Sequence, residues 1–92
     1  MKENEKFLRM LGATGTKKIL EFLDTHSTGQ YKEMAEFMSV HSLNIRLRDL
    51  LSFGLIYHHL EREPKKVEWY EITKRGKQVL HYLRCLVELI GS

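Results

Sequence analysis

Leucines set the clearest pattern in the chain. In the stretch SVHSLNIRLRDLLSFGLI, from Ser39 to Ile56, Leu43, Leu47 and Leu50 recur at helical spacing and make one apolar stripe. Gly54 ends that helix, being free to adopt a positive φ, and Leu55 and Ile56 restart at once as a strand. With Leu43 at the centre of the buried face and about 100° per residue, His41, Ile45 and Arg48 point directly outward. Ser42 and Asn44 fall on the flanks, and Arg46 on a flank nearer the core. Ser39 and Ser42 can each cap the helix, so its first residue stays open.

The elements around this helix follow from the same periodicities. Lys6 to Leu11 has helical character, with Phe7, Leu8 and Leu11 on one side, and Gly12-Ala13-Thr14-Gly15 breaks it. Thr16 is a good N-cap for a helix to about Thr25 with the stripe Ile19, Leu20 and Leu23 and Phe22 on its edge. His26 to Gly29 reads as a loop. A short helix follows from about Tyr31 to Met38. Leu55 to Glu63 reads as a strand and Val67 to Thr73, rich in β-branched and aromatic residues, as its return in a hairpin with Glu63-Pro64-Lys65-Lys66 as its turn. Thr73 caps a last helix from Lys74 to about Ile90. The expected order is helix, helix, helix, helix, hairpin, helix: an α+β chain, mainly α.

Length and composition narrow the classes. Ninety-two residues make one domain, 1–92, with a modest core. The lone cysteine, Cys85, precludes an intrachain disulfide, no apolar run approaches the ~20 residues of a membrane span, and the N-terminus MKENEKFLRM has no signal-peptide core. The expected setting is cytoplasmic. A net charge of +3 is too mild to imply nucleic acid by itself. Its distribution adds more, with four basic residues and no acid between Lys74 and Arg84, and Lys65-Lys66 at the hairpin turn. Lys17 and Lys18, in the first turn of their helix, suit either a nearby phosphate or plain solvent.

Taken together, Leu47 to Leu80, LRDLLSFGLIYHHLEREPKKVEWYEITKRGKQVL, resembles a winged helix-turn-helix domain. In that pattern a recognition helix ends in Leu-x-x-Leu-x-x-x-Gly-Leu-Ile, a charged wing follows, and Tyr-x-Ile-Thr-x-x-Gly leads into a helix. Here these positions are Leu47, Leu50, Gly54, Leu55, Ile56, Tyr70, Ile72, Thr73 and Gly76. Within that superfamily the chain is most similar to HxlR-type and MarR-type regulators. GATGTKKILEFL resembles the glycine-rich lead into their first domain helix, Tyr31-Lys32-Glu33-Met34 the start of the second, and Leu43, Arg46 and Leu47 the Leu-x-x-Arg-Leu core of the recognition helix. The N-terminal cysteine of HxlR-type proteins is absent, so redox sensing is not implied. The resemblance implies a helical core and C-terminal wing at 12–73, flanked by helices at 1–11 and 74–92.

It also implies sequence-specific binding of double-stranded DNA. The recognition helix would enter the major groove through His41, Ser42, Asn44, Ile45, Arg46 and Arg48, where Arg suits guanine, Asn adenine and an apolar group the thymine methyl. Arg46 could instead pair with Asp49 or Glu33. Gln30 and Lys32 could hold phosphate, and Arg62, Lys65 and Lys66 would reach the backbone or minor groove and position the protein. Glu61, Glu63 and Glu68 dilute the wing charge.

The last helix is apolar round more of its circumference than one core stripe needs. Tyr82, Leu83, Leu86, Leu89 and Ile90, joined by Phe7, Leu8 and Leu11, are therefore expected at a homodimer interface; cover by the N-terminal helix of the same chain is the alternative. A protein-interaction module and a non-specific, chromatin-like DNA binder are the competing functions. No cofactor is implied, a small-molecule effector has no residue to name it, and an enzyme is not expected. His58 and His59, adjacent on a strand, point to opposite faces and do not suit one metal ion, and there is no Cys-x-x-Cys.

Overall fold

The computed structural model describes residues 2–91. Its elements are α1 (Lys2–Leu11), α2 (Thr16–His26), β1 (Thr28–Gly29), α3 (Tyr31–Met34), α4 (Val40–Ser52), β2 (Ile56–Glu61), β3 (Val67–Ile72) and α5 (Lys74–Gly91). The chain is α+β and mainly helical, with an antiparallel sheet of order β1-β3-β2. None of its described helices is long and apolar enough to cross a membrane.

The leucine stripes do what their spacing requires. Ile19, Leu20 and Leu23 of α2 are fully buried, as are Leu43 and Leu50 of α4, and Leu47 nearly so. Met34, Leu55, Ile56, Ile72 and Leu80 close the core around them. The Ser39 hydroxyl oxygen accepts from the Ser42 backbone N–H at 3.2 Å, which settles the start of α4. At its other end Gly54 has φ +72° and turns the chain into β2.

Several boundaries differ from expectation. α1 begins at Lys2, four residues early, because Glu3 and Glu5 favour a helix N-terminus although no apolar stripe marks that turn. Thr16 does not cap α2. Gly15, at φ +88°, holds the cap position, and the buried Thr16 hydroxyl donates back to the Met10 carbonyl. The expected loop at 26–29 contains β1, which pairs Thr28 with Glu71 and Gly29 with Tyr70. A side chain at Gly29 would meet the Phe22 ring at 2.5 Å. Two residues are too short for any periodicity to betray a strand. α3 is regular only to Met34 and continues as turns.

One junction ties the second half together. The Thr73 N–H donates to the Leu55 carbonyl at 3.0 Å, its hydroxyl donates to the Gly54 carbonyl at 2.7 Å, and the same oxygen accepts from the Gly76 N–H at 2.9 Å. Gly76 packs so close that a Cβ there would lie 2.1 Å from the Leu55 oxygen.

Thr73→Val, which keeps the shape and removes the hydroxyl, is expected to cost about 1–3 kcal/mol in urea unfolding, because it strands a carbonyl and a helix N–H. Gly76→Ala is expected to cost about 1–3 kcal/mol or more, since backbone must move. Either change within about 0.5 kcal/mol of wild type, as at an indifferent surface position, would contradict the junction's role.

Candidate nucleic-acid interface

α4 presents its outer side from a helix whose inner side is fixed by three buried leucines. Arg48, His41 and Asn44 are exposed. Arg48 and His41 make no hydrogen bond or ion pair within the described residues. Asn44 is engaged: the Tyr31 hydroxyl donates to its Oδ1 at 2.6 Å. Tyr31, Asn44 and Arg48 share an open groove of about 460 Å³ with Leu47, Leu51, Ser52 and Tyr70. The first residue of α3, the outer face of α4 and the base of β3 thus meet at one place. Gln30 and Lys32 are exposed on either side of Tyr31 in the chain.

Three expected contact residues are less open than a contact face needs, and for Arg46 the alternative pairing with Asp49 is the one observed. Ile45 is half-buried rather than outward. A projection from one stripe measures only the angle to the core and not how far neighbouring elements reach round the helix. Ser42 is also half-buried, its N–H spent on the Ser39 cap. Arg46 is turned inward: its Nε donates to the Thr14 carbonyl at 2.9 Å and its Nη1 pairs with Asp49 at 3.1 Å, with only 12% of the side chain exposed. It holds the 12–15 turn to α4. Tyr31, Tyr70 and Leu51 were not expected at this face. Tyr31 reads as a core position from its spacing, and only its partner across 13 residues shows otherwise.

The hairpin carries the remaining basic residues at its far end. Arg62, Lys65 and Lys66 are exposed beyond the Glu61–Val67 pair, and Tyr70 lies nearer the base. Lys66 pairs with Glu68 at 3.3 Å. His58 and His59 do lie on opposite faces, each tied to a carboxylate: His58 to Glu68 at 2.8 Å and His59 to Glu71 at 2.9 Å. They stack on Tyr70 and Trp69 respectively. Among the described residues no three His, Cys, Asp or Glu gather at one point. Hydrogen bonding from His58, then from Lys66, holds the Glu68 carboxyl below its ordinary 4.5. Burial, then the charge of Glu68, raises the Tyr70 phenol above its ordinary value.

The expected interface residues divide. Phe7, Leu11 and Leu83 are half-buried against the chain's own core, and Phe7 meets Phe53 edge to face at 5.1 Å. With Val79, Tyr82 and Leu86 they line a shallow apolar pit of about 100 Å³. Leu8, Tyr82, Leu86, Leu89 and Ile90 are exposed, and so is Val87, with Leu89 at 80% and Ile90 at 89%. From Arg84 onward every described residue is exposed.

Two expectations follow. Arg46→Ala should lower stability by about 1–2 kcal/mol, the value of covered, charge-assisted hydrogen bonds, and a loss below about 0.5 kcal/mol, the ordinary surface range, would return Arg46 to the exposed face. A depressed carboxylate pKa means that the Glu68 contribution is present above the ordinary value and lost as pH falls through the lowered one. A carboxyl NMR titration should give Glu68 a midpoint under 4.5 that rises in His58→Ala; a midpoint at or above it would contradict the pairing.

No family model, no curated protein and no solved structure matches the chain.

Proposed function

We propose that the chain is a winged-helix protein of the HxlR/MarR kind that binds double-stranded DNA sequence-specifically as a homodimer and regulates transcription. The observation that carries this reading is the division of α4. Its leucines are sealed in the core, while Arg48 and His41 stand outward without partners among the described residues and Asn44 lies beside them. A helix fixed on one side and donor-rich on the other suits a major groove. Lys32 beside the groove and Arg62, Lys65 and Lys66 at the hairpin tip would position the duplex through phosphates. The bare apolar end of α5 supports the dimer. A two-fold pairing through Leu86, Leu89 and Ile90 would set two copies of α4 on half-sites about one helical turn, ~34 Å, apart.

The second reading is a protein-interaction module. Val40 is 56% exposed and Leu51 37% on the same helix, and Glu61 and Glu63 flank the hairpin tip.

Fluorescence anisotropy with a random duplex pool and a salt series separates them. The expected result is affinity that falls steeply with salt and enrichment of a two-half-site sequence. Arg48→Ala should weaken specific binding by roughly tenfold, and Lys65→Ala/Lys66→Ala should flatten the salt slope. Salt-dependent binding without enrichment would favour a chromatin-like binder. No binding at low salt by folded protein would leave the interaction module. In sedimentation, Leu86→Glu/Ile90→Glu should shift a dimer to monomer; a wild-type monomer would remove the dimer from the proposal.

A further inference from the structure

We propose that Tyr31 sets which base edge Asn44 reads: by holding the carboxamide oxygen, it leaves Asn44 to present its amide N–H to a guanine or thymine acceptor in place of adenine. This rests on the DNA-binding reading above and gives it a specificity.

An asparagine selects adenine by using both ends of its carboxamide, the oxygen accepting from N6 and the nitrogen donating to N7. Here the Tyr31 hydroxyl donates to Oδ1 at 2.6 Å. One lone pair of the oxygen is taken, and the amide is fixed end for end. The end of the carboxamide without a partner among the described residues is Nδ2, which only donates. Guanine offers acceptors at N7 and O6, and thymine at O4. Adenine offers N7 but sets the N6 donor beside it, and that donor would have to share the oxygen with the Tyr31 hydroxyl and take the one lone pair left, so adenine is disfavoured. Cytosine offers a donor and is refused. The tyrosine is itself well placed to act this way, being half-buried at the start of α3 and a wall of the same groove as Asn44. Arg48 stands one turn further along α4 in that groove, without a partner among the described residues, so the two side chains would read neighbouring positions. Tyr31 is a positioning residue and need not touch DNA.

The test is selection of bound sequences from a randomised duplex pool by the full chain, in parallel for wild type, Tyr31→Phe and Asn44→Asp, with circular dichroism of each. Wild type is expected to prefer guanine or thymine over adenine by roughly tenfold at one base pair of each half-site. Tyr31→Phe releases the oxygen, and adenine should rise to within about twofold there, other positions holding. Asn44→Asp keeps an acceptor for the Tyr31 hydroxyl but loses the donor, and the same position should turn to cytosine; this variant carries the test if Tyr31→Phe does not fold. A wild-type motif with adenine at the position Asn44→Asp alters would overturn the inference. So would a Tyr31→Phe motif unchanged, or weakened equally at all positions, which is the mark of a merely structural tyrosine. A wild type that enriches nothing would overturn the sequence-specific reading and this inference with it, so the wild-type arm alone tells the two failures apart.

Discussion

The Thr73 side chain and the backbone round it join the parts of this protein that matter to one another. Its N–H and hydroxyl donate to the carbonyls of Leu55 and Gly54, and its oxygen receives the Gly76 N–H. The end of α4, the start of β2, the end of β3 and the first turn of α5 therefore meet within a few bonds. The absence of a side chain at Gly76 lets α5 lie against the Leu55 carbonyl. Donors buried at such a junction have no water to turn to, so each must find its partner there. The angle between α4 and the hairpin, and the direction in which α5 leaves, depend on it.

α4 shows how one helix divides its residues. Leu43, Leu47 and Leu50 are sealed, so rotation about its axis is fixed. Arg46 then binds the Thr14 carbonyl and Asp49 and anchors the helix to the turn before α2. What remains outside includes Arg48, His41 and the tethered Asn44, with Val40, Leu51 and Ser52. An arginine that is 12% exposed and doubly bonded serves the fold; one that stands without a partner is available to something else. Residue type alone does not distinguish the two.

α5 carries more apolar surface than its own chain covers. α1 lies over part of it, through Phe7 and Leu11 beside Val79 and Leu83. Leu86, at the edge of that contact, and Val87, Leu89 and Ile90 beyond it are exposed. Cover within the chain, the alternative expected for this helix, is thus seen near its middle, and its end is left bare.

The sequence by itself determined the helices with strong stripes, the cap at Thr73, the stop at Gly54 and the existence of the hairpin. Those are local: a stripe, a hydroxyl or a free φ acts within a few residues, and its signal is written in adjacent letters. Tertiary structure decided the rest. β1 exists only because β3 offers it partners. Thr16 turned from cap to tether because Gly15 took the cap position. Arg46, whose pairing with Asp49 was legible in the sequence, also bonds the Thr14 carbonyl 32 residues away, and Tyr31 reached Asn44 across an interval no periodicity spans. Hydrogen bonds and burial depend on distance in space, and only the folded chain sets that distance.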